Sequence, residues 1–185
     1  VGDDYNMDPE RIEAAITPRT KAILPVHWSG LICDMERISG IAKKHGLSIV
    51  EDACHAINAE RAGKRAGAHG TTACFSMHPL KNLNVWGDGG VIVTNSDKLH
   101  DQLILLRNHG LVNRDLCKVF AYNSRLDTLQ AIVGKHVIKN VDHITRMRIN
   151  NASYFDEQLS VIPQIKIPLR SPEAKQVFHI YVIRV

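Results

Sequence analysis

Two short stretches hold the side chains that could do chemistry. The first, Thr72–Asn95, reads TACFSMHPLKNLNVWGDGGVIVTN. Its ends, Ala73–Ser76 and Gly90–Thr94, are apolar runs of strand character, and the loop between them carries a single lysine, Lys81. A loop hung from two strands is well placed to present one reactive amine. A lone loop lysine is ordinarily a solvated charge, so the weight falls on its neighbours. In the second stretch the strand-like Leu47–Val50 runs into two carboxylates, Glu51 and Asp52, followed by Ala53, Cys54 and His55. Ligands of open α/β sheets sit outside the carboxyl ends of the strands, which would turn Asp52 and Ser76 toward one crevice.

A buried carboxylate needs a cationic partner or it takes up a proton, and a protonated pyridine nitrogen is such a partner. An amine nucleophile, a strand-end aspartate and a hydroxyl for a phosphate together make the kit for pyridoxal 5'-phosphate. The motifs that carry these residues resemble a known family. VEDACHA, then CFSMHPLKN and GDGG, are similar to the signature segments of the DegT/DnrJ/EryC1/StrS sugar aminotransferases, pyridoxal phosphate enzymes of fold type I. Cys54 stands at a usual alanine and Met77 at a usual aromatic. Further matches, from ITPRTKAILPVH through AKKHGLSIVED to LRNHG and YNSRLDTLQA, extend the resemblance over nearly all 185 residues.

The elements that must position these groups follow from punctuation and period. Asp8 and Pro9 open a short helix to Ile16, and Lys21–His27 is the first core strand. Asp34 caps a helix whose Met35, Ile38, Ile41 and Ala42 share a face, and Gly46 ends it. The strand at Leu47 follows at once, giving a βαβ unit with parallel strands. The glycines of RAGKRAGAHG predict turns or a small hairpin. Leu99, Leu103 and Leu106 mark a helix from Ser96 to about His109, and Leu126, Leu129, Ile132, Val133 and Val137 mark another. A last helix, from about Asp142 to Leu159, leads outward. Four strands result, in a doubly wound α/β arrangement. The resemblance implies a mostly parallel sheet belonging to part of a large cofactor-binding domain, residues 1–145. It also implies a connecting helix and the start of a small C-terminal α+β domain, residues 146–185.

Composition narrows the class. With 185 residues, 44% of them hydrophobic, the chain suits one domain with a sizeable core. Its net charge of +4 is spread along the sequence and gives no case for nucleic acid. Cys33, Cys54, Cys74 and Cys117 form no C-x-x-C pair, and three lie in or beside apolar runs. Reduced thiols in a cytoplasmic protein are expected, with no metal site. No apolar run reaches the roughly eighteen residues of a membrane span, and no signal peptide opens the chain. The initial valine and the unturned run VFHIYVIRV suggest a fragment, as does the resemblance, whose members run to roughly twice this length. The sheet would then have two open edges, and the segment alone should be poorly stable.

By resemblance, Lys81 is the amine that binds the cofactor covalently and afterwards moves the proton. Asp52 pairs with the pyridinium, its plainer alternative being a helix cap. His55 lies by the cofactor's phenolic oxygen or ring face, or is a core histidine. Ser76 binds the phosphate, or is a simple strand-end hydroxyl. Asn123 reaches the phosphate of a neighbouring subunit, which implies a homodimer with a shared active site; a helix N-cap is the equal alternative. His78 and Trp86 line the loop on the sugar side. His27 and Trp28 end the first strand near the crevice and are read as packing. The implied activity moves an amino group from an amino acid, most simply glutamate, to a keto sugar carried on a nucleotide. The rival is a regulator that keeps the fold and pocket, which the retained Lys81 disfavours. A nicotinamide enzyme is disfavoured because GDGG precedes a strand and makes no dinucleotide loop.

Overall fold

A computed structural model describes residues 1–185. Its strands are β1 (Ala22–Ile23), β2 (Ser48–Asp52), β3 (Glu60–Arg61), β4 (Lys64–Arg65), β5 (Thr72–Ser76), β6 (Gly90–Thr94) and β7 (Ala174–Lys175). The helices longer than a single 3-10 turn are α1 (Ile12–Ala15), α2 (Met35–His45), α3 (Asp97–Arg107), α4 (Thr128–Val137) and α5 (Val141–Leu159). The central sheet runs β1-β2-β5-β6. β1, β2 and β5 are parallel, while β6 is antiparallel to β5. A second, small sheet joins the β3–β4 hairpin to β7, so the glycine-rich stretch does form a hairpin.

Local chemistry accounts for the best-formed unit. Asp34 caps α2 by accepting from Arg37 N at 3.2 Å, and Gly46, at φ 63°, closes it in the left-handed region. Met35, Ile38 and Ala42 are buried on its inner face. They meet Ile23 of β1 and Ile49 of β2 in a twelve-residue core that also takes in Ala53, Ala56, Ala59 and Val177. A second cluster, Met77, Leu83, Val85 and Val133, lies where the Lys81 loop rests on α4.

Three elements differ from the sequence reading. The first strand shrinks from the expected Lys21–His27 to Ala22–Ile23, because Pro25 has no N–H for a ladder. The segment still touches β2 further on, where Val26 bridges Asp52. α3 has no buried residue, and Leu106 is 47% exposed. On α4, Leu129 and Ile132 are 56% and 61% exposed. The apolar spacing in both helices is real, but this chain covers those faces only in part: Leu99 and Leu103 are half-buried on α3, and Val133 alone of the named α4 residues is buried, against the Lys81 loop. Of the cysteines, Cys33 is buried, Cys54 and Cys74 are half-buried and Cys117 is exposed; all four are free. No helix is long and apolar enough to cross a membrane.

Candidate active site

β2 ends by sending its two carboxylates to opposite faces, as strand alternation requires. Glu51 turns inward and is fully buried. Its Oε1 accepts from His69 N at 2.8 Å and Gly70 N at 2.5 Å, and its Oε2 from Gly67 N at 2.8 Å. The fourth donor is His27 Nε2 at 3.0 Å. His27 Nδ1 accepts from Cys33 N at 3.3 Å, so the ring's proton sits on Nε2. Burial alone would raise the Glu51 pKa, but His27 and the backbone N–H groups of Gly67 and Gly70 outweigh it and hold it at about 2. Asp52 takes the other face, half-buried. Its Oδ1 accepts from Cys54 N at 3.0 Å, and no cation pairs with it.

The Lys81 loop is held at both ends. At its root Met77 N donates to Gly89 O at 2.8 Å and Val85 N to Met77 O at 2.9 Å. Asn82 Nδ2 reaches Val177 O at 2.9 Å, and Asn84 Nδ2 reaches Lys81 O at 3.1 Å. On the far side Gln130 Oε1, from α4, accepts from Trp86 N at 2.8 Å and Gly87 N at 3.0 Å. Lys81 itself is half-buried and in no ion pair. Its charge and that of Asp52 act together on Cys54 and His55. Burial pushes the Cys54 thiol up to about 11, with Asp52 adding to the rise and Lys81 opposing it. The His55 pKa is lowered by burial and by Lys81, against the pull of Asp52.

His55 lies between two other rings, Trp28 with centroids 5.2 Å apart and His179 at 4.3 Å. Burial, then the charges of His55, Lys81 and Arg148, take the His179 pKa down to about 4. Ser76 ends β5 opposite Gly90, and its Oγ accepts from His78 N at 3.3 Å, leaving its own O–H free to donate. His78 and Trp86 stand exposed on the loop rim, Trp86 at 78%. Asn123 is engaged elsewhere. Its Oδ1 accepts from Arg125 N at 3.3 Å and Nε at 3.1 Å, and its backbone bridges Asn108. Lys81, Asp52 and His55 thus come together around the end of β2, with Ser76 at the root of the lysine loop, while Asn123 keeps to its own turn. Sequence reasoning missed His179. Its only signal was a histidine inside the apolar run at the end of the chain.

The donor set suits pyridoxal phosphate. Asp52 is a half-buried carboxylate without a cation, Lys81 an amine without an acid, and Ser76 a hydroxyl with an unused proton. Each lacks the partner that one of the cofactor's groups would supply.

Comparison with known proteins gives the family. The family model described as DegT/DnrJ/EryC1/StrS aminotransferase family matches residues 1–185. A pleiotropic regulatory protein of Geobacillus stearothermophilus is 42% identical over 97% of this chain and 49% of its own length. The dTDP-3-amino-3,4,6-trideoxy-alpha-D-glucose transaminase of Streptomyces venezuelae is 39% identical over 98% of this chain and 48% of its own. Among solved structures, S. venezuelae DesV in complex with a ketimine intermediate superposes with a TM-score of 0.95 at 38% identity, covering 99% of this chain and 50% of that one. Bacillus subtilis NtdA with bound cofactor PMP gives 0.86 at 33%, over 99% of this chain and 42% of that one. The chain spans about half the length of the curated relatives it matches. It belongs to the DegT/DnrJ/EryC1/StrS aminotransferase family.

Proposed function

We propose that the protein is a pyridoxal phosphate-dependent aminotransferase that carries an amino group from an amino acid, glutamate in the simplest case, to a keto sugar linked to a nucleotide. The observation that carries this reading is that Asp52, a half-buried carboxylate with no cation, ends β2 beside His55, while Lys81, an amine with no acid, sits on the loop that Asn82 ties to Val177. The substrate class is supported by relatives named as a UDP-N-acetyl-3-dehydro-alpha-D-glucosamine 3-aminotransferase in Acidithiobacillus ferrooxidans and a GDP-perosamine synthase in Caulobacter vibrioides.

When bound, the cofactor supplies a carbonyl carbon for the migrating amino group and a ring that accepts electrons. Lys81 would hold the cofactor through its amine and, once that amine is free, would take the proton from the substrate's α-carbon and return it. Asp52 balances the charge on the ring nitrogen. Ser76 donates to the phosphate, and His55 flanks the ring. His78 and Trp86, exposed at the rim, meet the sugar. Asn123 reaches the pocket of a second subunit, which calls for a homodimer with shared sites, and the cytoplasm is the compartment this reading assigns. Residues 1–145 form part of the large domain, and residues 146–185 are the connecting helix and the start of the small one.

The name of the Geobacillus relative favours one other reading, a regulator that keeps the pocket. The two separate in a cuvette. Full-length protein loaded with pyridoxal phosphate should be yellow, retain the colour through dialysis, and bleach on addition of glutamate. Lys81→Ala should hold no covalently attached cofactor. Attachment that survives Lys81→Ala would overturn the assignment, and colour that persists in the presence of amino donors would favour the regulator.

A further inference from the structure

Two non-glycine residues with left-handed backbone face each other beside the pocket, Ser29 at φ 53° and Phe178 at φ 47°. Such backbone costs on the order of 1–3 kcal/mol per residue, so the surroundings must hold it. Each stands next to a ring that packs on His55. Trp28 precedes Ser29, and His179 follows Phe178.

The two turns are tied together. Val177 N donates to Gly30 O at 3.0 Å and His179 N to Ser29 O at 3.1 Å. Gln176 Nε2 donates to Ser29 Oγ at 3.0 Å. Gly30, at φ 89°, lets the backbones close in. A Cβ there would lie 2.7 Å from Val177 Cγ2, 3.0 Å from His55 O and 3.1 Å from Phe178 N. From α5, Arg148 Nη1 donates to Phe178 O at 3.0 Å and His179 O at 3.3 Å.

The clamp also sets which ring atoms are free. Nδ1 of His55 and of His179 are both buried without a partner. Neither Nε2 is hydrogen-bonded or among the buried unpartnered atoms, so both half-buried imidazoles keep their Nε2 edges open to solvent. We propose that His179 is a positioning residue. Its ring, set by the tied turns at Ser29–Gly30 and Phe178, holds His55 against Trp28 so that His55 Nε2 faces the cofactor. This rests on the reading of His55 as a residue that flanks pyridoxal phosphate. The charged groups that act on the pair are Lys81 and Asp52 for His55, and Lys81 and Arg148 for His179.

Full-length His179→Ala and His179→Phe proteins test the proposal, with thermal melts to establish that each is folded. In cofactor-free protein, 15N-imidazole NMR should show the His55 titration moving up toward the ordinary range in His179→Ala, because water reaches the ring. It should stay low in His179→Phe, which keeps a flat packing partner. Affinity for pyridoxal phosphate should fall about tenfold in His179→Ala, the weight of one well-packed ring pair, and be largely kept in His179→Phe. An unchanged His55 titration in His179→Ala overturns the proposal, as does a His179→Phe protein that behaves like His179→Ala. If the unsubstituted protein binds no pyridoxal phosphate, the functional reading fails, while the cofactor-free titration still decides the positioning role.

Discussion

Replacing Glu51 with glutamine should cost stability in a way that depends on pH. The carboxylate is fully buried and accepts from Gly67 N, His69 N, Gly70 N and His27 Nε2. Its pKa falls from 4.5 in the unfolded chain to about 2 in the folded one. The folded value is the lower, so acidification delivers the extra proton to the unfolded chain first. The stabilisation is therefore fully present above pH ~4.5 and disappears as pH falls through about 2. A difference of about 2.5 between those values, at roughly 1.4 kcal/mol for each, is worth about 3 kcal/mol at pH 7 and about 1 kcal/mol at pH 3. A glutamine replaces one acceptor oxygen with a donor, set against two N–H groups that then lose their partner. That mismatch is independently worth about 1–3 kcal/mol for each group. Urea unfolding of the two proteins, at equal chain length so that other groups cancel, should show a gap of at least about 3 kcal/mol at pH 7 that narrows by about 2 kcal/mol at pH 3. A gap of the same size at both pH values would refute the linkage, and no gap would refute the bonding itself.

The 185-residue chain on its own should associate as concentration rises, because β1 and β6 are open edges flanked by exposed Leu24, Val91 and Ile92. Light scattering through a melt checks this, and a monomer with a sharp, reversible transition would count against it. Gly30→Ala should drive the 177–179 segment off its seat and raise hydrogen exchange at the Val177 and His179 amides, since the new Cβ meets Val177, His55 and Phe178 at 3.1 Å or less. Gln130→Ala should free the Trp86 and Gly87 amides, with exchange there rising about tenfold and β2 unaffected. Equal protection at Trp86 before and after would mean that α4 does not steady the lysine loop.

What could be read from the sequence was what local chemistry decides. Asp34, the apolar face of α2 and Gly46 announce a capped helix, and that helix is present with those ends. The residue types of Lys21–His27 favour one long strand, yet a ladder needs each residue's N–H, and Pro25 has none to give although its C=O still accepts from Asp52 N at 2.9 Å. Leu99, Leu103 and Leu106 recur at helical spacing and do form a helix. Leu99 and Leu103 are half-buried and Leu106 is exposed, because burial belongs to whatever packs over the face, which no helical period encodes. Strand ends point Asp52 and Ser76 toward one crevice, and those two residues do end the neighbouring parallel strands β2 and β5. His179 stayed hidden because its approach depends on a left-handed Phe178, a conformation that nothing in the type of that residue announces.

The adjacent carboxylates of β2 show why position along a strand decides chemical role. Glu51 and Asp52 are equally acidic by type and one residue apart, so composition cannot choose between them. Strand parity can, because it sends them to opposite faces. Glu51 meets four donors and has both oxygens occupied, so its charge is spent on holding the 67–70 turn and the His27 ring. A carboxylate saturated in this way has nothing left with which to balance a ligand's charge. Asp52 meets one backbone N–H and no cation, and shares its surroundings with Lys81. Its second oxygen is therefore the acceptor that a cationic ring nitrogen could use without displacing an existing bond. The structural carboxylate fixes the end of the strand, and the chemical one is left unsatisfied beside it. That incompleteness is the ground on which we propose Asp52, and not Glu51, as the binding group.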